Sequence, residues 1–287
     1  MMDTTMTMKK ETSVLQKKKR GSYRIKKTDM TSRMIFVILA VFAAVFVYFI
    51  AFMCEYKWDQ VKLGFILEIL PRFIDFTNVS ATSWQNIFYS LINTILLGVI
   101  TTIIGAIIGL FLGLAAARNL SHPVVSNIIR GFAGFIRAVP TIIWAILFVS
   151  GFGLTATTAI VGMSFHSIAY FIKSYSEAFE EVEEGTLEAL RATGASWWQI
   201  VSSAVLPSSF TKIISWIAMR SEMNFAAAVI IGPAVGVPGT IGSILNQFSR
   251  AGDYGGLGLC VLTIFLTALL FELFITRYKQ KTLVNAS

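Results

Sequence analysis

Two long runs without a charged side chain constrain the fold of this chain more than any other feature. Residues 34–53 are an unbroken apolar stretch, and residues 87–117 form an unbroken uncharged one. About twenty apolar residues in a helix cross a hydrocarbon core of roughly 30 Å. Hydrophobic residues make up 55% of the chain and charged residues only 14%. We therefore expect an all-α integral membrane protein rather than an ordinary soluble domain.

Further apolar runs bring the expected number of transmembrane helices to about six. Residues 1–33 are a basic tail that should bury no core and be mobile, and residues 54–86 suit an external loop with an interfacial segment. The polar and glycine-proline residues of 232–253 predict a helix end followed by an external turn or re-entrant piece, within a core domain of residues 87–287. The predicted spans are 34–53, 87–117, 138–150, 154–178, 207–231 and 258–276.

The lysines and arginines are concentrated on one side of these spans. Nineteen lie in segments assigned to one side, including the tail and a loop marked by Arg118, Arg130 and Arg137, against four on the other side. We therefore expect a multi-pass protein of the cell (inner) membrane. The positive-inside rule places both of its termini in the cytoplasm. Membrane topology therefore explains the net charge of +8 better than nucleic-acid binding does.

One polar segment, residues 186–207, stands apart from the apolar sequence around it. The residues from Glu188 to Ala192 suit a short helix, and Gly194 suits the left-handed position that ends one. Ser196 can cap a second helix, and Pro207 fits the first turn of the following span. By itself, such a segment is typical of a solvated loop helix between two membrane spans.

Glu188-Ala189, then Gly194, and about a dozen residues later Leu206-Pro207 resemble the cytoplasmic coupling loop of binding-protein-dependent ABC importer permeases. The similarity extends over roughly residues 70 to 280, and within the family the chain resembles the phosphonate-type permeases. The stretches that carry it are Arg137-Ala138-Val139-Pro140, Trp144-Ala145, His166, Lys173, Glu177-Ala178, residues 188–195, Arg220-Ser221-Glu222-Met223-Asn224 and residues 239–242. Ala204, Thr141 and Val237-Pro238 depart from the usual pattern, the last two bearing on the substrate more than on the architecture.

This resemblance implies a type I ABC importer permease core with a cytoplasmic coupling helix that docks on an ATPase. The residues implied in ATPase coupling are Glu188, Ala189, Gly194, Ala195, Leu206 and Pro207. The implied partners are a second copy of this chain, a cytoplasmic ABC ATPase dimer and an external solute-binding protein. The chain has no phosphate-binding loop, so we expect it to be no enzyme and to hold no cofactor, with ATP and Mg²⁺ on the partner ATPase.

The resemblance to phosphonate-type permeases, which includes Arg220 and Glu222, implies that the cargo is a small phosphorus oxyanion: phosphonate first, with phosphate or phosphite as variants. Charged side chains inside a span are costly and should face a cavity or a polar partner. A structural polar network between spans explains Arg220 and Glu222 equally well. The candidate residues of the translocation pathway are Arg220, Glu222, His166, Lys173 and Asn224.

Other interpretations remain open at this point. The coupling loop also fits an amino-acid permease of the methionine type. An ion-coupled secondary transporter would need intramembrane carboxylates, but Glu222 has no second acid near it in sequence. No catalytic or metal-binding cluster is visible for an intramembrane enzyme. The face formed by Gly105, Gly109 and Gly113 could pack within the chain or against another subunit.

Overall fold

The computed structural model describes residues 15–17, 23–25, 29–53 and 63–284. Its contacts divide the chain into two compact units, Met1–Leu63 and Gly64–Ser287. Much of the predicted tail, and residues 54–62 of the predicted external loop, therefore lie outside the described residues.

The first unit contains a short ribbon and one apolar helix. Strands β1 (Leu15–Lys17) and β2 (Tyr23–Ile25) pair antiparallel, a feature that the sequence does not predict. Helix α1 (Asp29–Tyr48) continues through a wider helical turn at Phe49–Met53. Within this unit the apolar surface of Ser32–Met53 is entirely uncovered, as suits a helix surrounded by lipid.

The second unit is built from helices joined by short connections, as the all-α prediction requires. Its helices are α2 (Leu63–Ile74), α3 (Ala81–Ala116), α4 (Pro123–Ala138), α5 (Thr141–Phe152), α6 (Ala156–Glu180), α7 (Glu184–Ala192), α8 (Trp197–Ile200), α9 (Leu206–Ala234), α10 (Ile241–Ala251) and α11 (Tyr254–Val284).

The segment between the second and third predicted spans is a helix, and the prediction of a loop there is wrong. Pro123 occupies the first turn of α4, and the Nδ1 atom of His122 accepts a hydrogen bond from the backbone N–H of Val124 (3.3 Å). Helices α4 and α5 then meet at 94°. Pro140 has no N–H and disfavours a helical conformation in Val139, which is extended, so the helix breaks at this point.

Helix α6 lies at the centre of the unit, and α3 packs closely against it. A Cβ atom built on Gly105 would lie 2.6 Å from the Cβ of Ser167, and one built on Gly109 would lie 2.4 Å from the Cβ of Phe171. The glycines repeat every four residues, as do the α6 residues that they face, so one helix face fits the other. The small-residue face of α3 is thus used for packing within the chain.

Helix α9 extends further at both ends than the sequence predicts. Gly232 and Pro233 lie inside its last turn instead of ending it. Gly232 is needed there because an added Cβ would lie 2.4 Å from the Oγ1 of Thr240. The connection to α10 is tied to α3, since the backbone N–H of Ile241 donates to the Oγ1 of Thr94 (2.9 Å). The predicted turn or re-entrant piece is therefore a packed turn followed by the helix α10.

The number of apolar helices can be compared with the prediction of about six spans. Within the described residues, four are long and apolar enough to cross a membrane, and the bent pair α4–α5 raises the number to five. Helix α6 has 25 residues, a length of about 37 Å, but it is too polar to meet the same test. The described helices thus supply four to five apolar spans, and α6, which packs against α3, α4, α5 and α9, is not one of them.

Candidate functional site

Helix α7 ends in a turn that only glycine adopts without strain. The N–H of Gly194 donates to the carbonyl of Arg191 (3.0 Å), and the N–H of Ala195 donates to the carbonyl of Leu190 (3.1 Å). With a φ of +80° at Gly194, these two bonds form a Schellman motif. A Cβ added to Gly194 would meet nothing within 4 Å, so the backbone angle, and not the available space, requires glycine. The predicted helix and its glycine end are both present.

Segment 186–207 is anchored on its inner side in the largest apolar cluster of the second unit. Leu187 is fully buried in this cluster, which joins the segment to the ends of α3 and α6. Burial of a leucine side chain stabilises a structure by about 1.5–3 kcal/mol. The buried members of the cluster are Leu114, Ala117, Leu120, Phe171, Tyr175, Phe179, Leu187, Ile200, Val201, Ala204 and Val205.

Side-chain hydrogen bonds fix the same segment to the connection between α3 and α4. The guanidinium of Arg191 donates to the carbonyl of Asn119 (2.7 Å), and the indole N–H of Trp197 donates to the carbonyl of Leu120 (2.9 Å). The amide of Asn119 in turn donates to the carbonyl of Phe179 at the end of α6 (2.9 Å). A displacement of α7 must therefore move the ends of α3 and α6 or break these bonds.

Glu180, the last residue of α6, joins this helix to α4 and to the connection that follows α3 by charge-assisted hydrogen bonds. Its Oε1 accepts from the backbone N–H of Arg118 (2.7 Å) and from the guanidinium of Arg130. Arg130 also donates through Nε to the carbonyl of Ala116 (2.8 Å). The Arg130 and Glu180 side chains are only 25% and 26% exposed, so this ion pair is better shielded from water than a surface pair.

A wide helical turn at Val201–Val205 connects α8 to α9 without interruption. The N–H of Leu206 donates to the carbonyl of Val201, five residues back. The ring of Pro207 would collide with the carbonyl four residues before it in a regular helix, and the wide turn removes that conflict. Pro207 thus lies in the first turn of α9, as predicted, although the helical segment already begins at Trp197.

The six residues predicted for ATPase coupling divide into two groups. Glu188, Ala189 and Gly194 are exposed on the outer side of segment 186–207, whereas Ala195 and Leu206 are half-buried against its inner cluster. Pro207 is exposed but shapes the helix, as described above. The side chain of Glu188 forms no hydrogen bond or ion pair with any residue that the structure describes. The outer side is therefore a firmly held surface that is free to contact another protein.

Arg220 is buried between α6 and α9, and its contacts there are to uncharged groups. Its Nε donates to the Oγ of Ser167 (3.2 Å), and its Nη2 lies 3.0 Å from the Nδ1 of His166. Since a guanidinium only donates, the Nδ1 of His166 accepts this bond and is unprotonated. The guanidinium carbon lies 4.9 Å from the centre of the Tyr170 ring, a cation–π contact. Arg220 is 3% exposed and, among the described residues, has no carboxylate partner.

Asn224, one helical turn from Arg220, ties three helices together. Its side-chain NH₂ donates to the Oγ1 of Thr102 on α3 and to the Oγ of Ser167 on α6, both at 2.9 Å. Ser167 in turn donates to the carbonyl of Met163 (2.8 Å). Arg220 and Asn224 thus share Ser167 as a common partner, and His166 joins this polar cluster through its bond with Arg220.

Lys173 and Glu222 lie outside this polar cluster, which surrounds Arg220, His166 and Asn224. The Nζ of Lys173 lies 3.7 Å from the Oε1 of Glu177, and both side chains are about half exposed, at 51% and 53%. Glu222 is half-buried, and its side chain forms no hydrogen bond or ion pair with the described residues. Its position, two residues after Arg220, places it on a different side of α9. The structure therefore brings together three of the five predicted pathway residues.

The sequence alone did not indicate three members of the polar cluster: Ser167, Tyr170 and Thr102. Tyr170 could have been found, because it follows His166 by four residues and so shares its helix face. Thr102 and Ser167 are single hydroxyl residues in long helices and carry no such signal. Their partners lie on α9, and no local pattern indicates which helices become neighbours.

A second polar site lies where the connection between α2 and α3 meets the start of α11. Arg72, Asp75, Asn78 and Asp253 line a cavity of about 190 Å³ there. Asp75 accepts hydrogen bonds from the hydroxyl (2.5 Å) and the N–H (3.1 Å) of Thr77, which hold the pKa of its carboxyl below the usual value. Asp253 accepts from the N–H of Gly256 (2.9 Å). Both carboxylates thus hold local backbone, and no three potential metal ligands meet anywhere in the described ranges.

Comparison with known proteins places these features in a family. Residues 109–283 match the family model "Binding-protein-dependent transport system inner membrane component". The phosphate-import permease protein PhnE of Mycolicibacterium smegmatis is 29% identical over 218 residues, which cover 76% of this chain and 40% of that protein. The phosphite transport system permease protein PtxC of Stutzerimonas stutzeri is 32% identical over 185 residues, covering 64% of this chain and 66% of that protein. The chain thus spans less than two thirds of either relative.

The fold has close relatives among solved structures. The MetNI methionine ABC transporter, in a structure of its inward-facing conformation, superimposes with a TM-score of 0.62 at 20% identity, covering 69% of this chain and 97% of that one. At this level of identity the likeness concerns the fold alone. The region that matches the family model, residues 109–283, contains the α7 turn, the Glu180 connections and the Arg220 cluster except Thr102. The chain therefore belongs to the family of inner-membrane components of binding-protein-dependent transport systems.

Proposed function

We propose that this chain is the membrane-spanning subunit of an ATP-driven importer for a small phosphorus oxyanion, with phosphonate as the first candidate. Phosphate or phosphite would fit the same chemistry. The observation that carries the cargo assignment is the buried guanidinium of Arg220, which has only uncharged partners among the described residues. The names of the two permease relatives, for phosphate and phosphite, support the same substrate class.

The proposed complex contains two copies of this chain, two copies of a cytoplasmic ABC ATPase and an external solute-binding protein. ATP and Mg²⁺ bind to the ATPase, and this chain holds no cofactor. The exposed side of α7, with Glu188 and Ala189, is the proposed contact with the ATPase. This requires segment 186–207 and both termini to lie in the cytoplasm, an orientation supported by the distribution of lysine and arginine.

Transport would proceed by alternating access. Closure of the ATPases on ATP moves α7, and the contacts of Leu187 and Arg191 carry this movement to the ends of α3 and α6. Because Arg220 and Asn224 of α9 are bonded to Ser167 in the middle of α6, movement of α6 against α9 would open or close the cluster. The cargo replaces uncharged partners of the guanidinium as it passes.

A permease for an amino acid such as methionine is the second candidate. The name of a further relative favours it, since the probable D-methionine transport system permease protein MetI of Pasteurella multocida is 28% identical over 192 residues. A zwitterionic amino acid carries its own positive charge and therefore gains less from an arginine without a carboxylate partner than an anion does.

The test is the ATPase activity of the reconstituted complex with its binding protein supplied empty or loaded with methylphosphonate, phosphate, phosphite or methionine. We expect stimulation by one or more of the three phosphorus-containing forms. Stimulation by the methionine-loaded protein alone would refute the cargo assignment and leave the permease assignment intact.

A further inference from the structure

Trp144, in the first turn of α5, bridges the break between α4 and α5. In a continuous helix the carbonyl of Ile136 would accept a hydrogen bond from the N–H four residues later, but Pro140 has no N–H. The indole N–H of Trp144 donates to this carbonyl instead, at 2.9 Å. The backbone N–H of Val139 also reaches it, at a longer 3.4 Å. Trp144 thus supplies the donor that Pro140 removes, and within the described ranges no other side-chain hydrogen bond joins the two helices.

The indole ring of Trp144 also packs against two neighbouring helices. Its centre lies 5.9 Å from that of Phe135 on α4 and 5.0 Å from that of Phe165 on α6, both in the edge-to-face arrangement that favours aromatic pairs. Trp144→Phe would keep much of this packing and lose the N–H donor, so the hydrogen bond can be tested by itself.

Helix α5 is interlocked with the first half of α6. A Cβ atom built on Gly162 would lie 2.5 Å from the Cα of Ala145, so the two backbones are in contact at this point. Ala145 is fully buried there, together with Ala159 and Met163 of α6. Helix α5 therefore cannot shift far against α6 without a clash between the two backbones.

Helix α4 is fixed by hydrogen bonds at its start, close to the other end of α6. The Oγ of Ser126 and the Nε of Arg130 donate to the carbonyl of Ala116 (2.6 and 2.8 Å), and Arg130 also pairs with Glu180. The second half of α4 meets α6 through apolar side chains such as Ile136. Because apolar contact has no directional preference, this half can shift against α6 more easily than α5 can.

A displacement of segment 186–207 would therefore act differently on the two helices. Arg191 and Trp197 bond to the connection that leads into α4, so α4 is drawn along with the segment. Helix α5 stays with the first half of α6, to which its backbone is interlocked. The difference between the two movements has to be taken up at Pro140, where the regular helical bonding is interrupted.

We propose that the break at Pro140 is a hinge of the transport cycle and that Trp144 is the positioning residue that holds it at its angle of 94°. The proposal rests on the proposed coupling of segment 186–207 to an ATPase, and not on the identity of the cargo. A single neutral hydrogen bond shifts an equilibrium by about tenfold. Such a bond is strong enough to favour the bent form and weak enough to be broken in every cycle.

The test measures amide hydrogen exchange in residues 138–144 of the complete complex, with and without a non-hydrolysable ATP analogue. In the wild type we expect the analogue to raise the exchange rate about tenfold, because the bond to Ile136 opens. Trp144→Phe should exchange at the faster rate in both conditions, and the control Trp84→Phe should behave as wild type. Trp84 is an exposed tryptophan whose side chain forms no hydrogen bond with the described residues.

Binding of the analogue gives a readout that a merely structural role of Trp144 would not change. Since coupling between two sites is reciprocal, a hinge released in advance should lower the Kd of the complex for the analogue by up to about tenfold in Trp144→Phe. An equal Kd in the wild type and Trp144→Phe, or a nucleotide effect on exchange that persists in Trp144→Phe, would overturn the proposal. The wild-type exchange measurement decides it even if this variant does not assemble.

Uptake of methylphosphonate into proteoliposomes separates failure of the hinge from failure of the proposed function. Wild-type uptake that requires ATP, without any effect of the analogue on exchange in residues 138–144, would refute the hinge alone. An effect of the analogue in a complex that imports no phosphorus oxyanion would support the hinge and refute the cargo assignment.

Discussion

Gly194 allows a direct test of the proposal that segment 186–207 couples the ATPase to the membrane helices. Glycine is required at this position only for its backbone conformation. Its φ of +80° is unfavourable for other residues, yet a Cβ there would meet nothing within 4 Å. The left-handed conformation costs an L-residue roughly 1–2 kcal/mol. Asn tolerates it better than Ala, and a β-branched Val tolerates it least. We therefore expect the turn to weaken in the order Asn, Ala, Val.

The strain should loosen α7 without unfolding the membrane domain, since Leu187 and its apolar cluster stay in place. A penalty of roughly 1–2 kcal/mol changes the population of the intact turn by about 5- to 30-fold. Uptake and retention of the ATPase during purification should fall in the same order, while membrane abundance stays near the wild-type level.

Gly131→Ala is the matched control. Gly131 lies inside α4, its Cβ would also meet nothing within 4 Å, and its φ is not positive. Alanine there should be neutral or stabilising by up to about 1 kcal/mol. Uptake by Gly194→Val equal to that of Gly131→Ala, at equal abundance, would refute the role of this turn.

Three further outcomes are expected. In a background without the two native cysteines, a cysteine introduced at Ser196 should be shielded from a membrane-impermeant thiol reagent in intact cells, while one introduced at Thr77 should react. Efficient labelling at Ser196 would reverse the proposed orientation. Gly109→Leu should prevent stable folding, because the added Cβ alone would lie 2.4 Å from the Cβ of the buried Phe171. Recovery of a stable, monodisperse protein would contradict the packing of α3 on α6. Asn224→Ala should lower the free energy of unfolding by about 1–3 kcal/mol, since it leaves the buried hydroxyls of Thr102 and Ser167 short of a partner. An unchanged thermal unfolding profile would show that this hydrogen-bond network is dispensable.

The sequence predicts local features of this fold well. Gly194 follows a helix-forming stretch, and its left-handed turn depends on neighbouring residues only. The same is true of Pro207 in the first turn of α9 and of the apolar spans. These features are decided by backbone angles, hydrogen-bond donors and side-chain hydrophobicity, all of which are visible in a short window of sequence.

The errors arise where a distant partner changes the local preference. Arg130 suggests a loop, but Glu180 and the carbonyl of Ala116 satisfy its guanidinium and allow α4 to form. Gly232 and Pro233 suggest a helix end, yet close packing against Thr240 keeps them inside α9. The partners of Arg220 were unforeseen for the same reason.

The most direct test of the central claim is the initial rate of ATP-dependent methylphosphonate uptake into proteoliposomes that contain this chain, its ATPase and its loaded binding protein. The account predicts uptake that requires ATP hydrolysis and falls by about tenfold or more in Arg220→Gln, as expected for a lost charged hydrogen-bond donor. Wild-type uptake in Arg220→Gln would return this arginine to a structural role. No uptake of methylphosphonate, phosphate or phosphite by a complex that accumulates methionine would contradict the account as a whole.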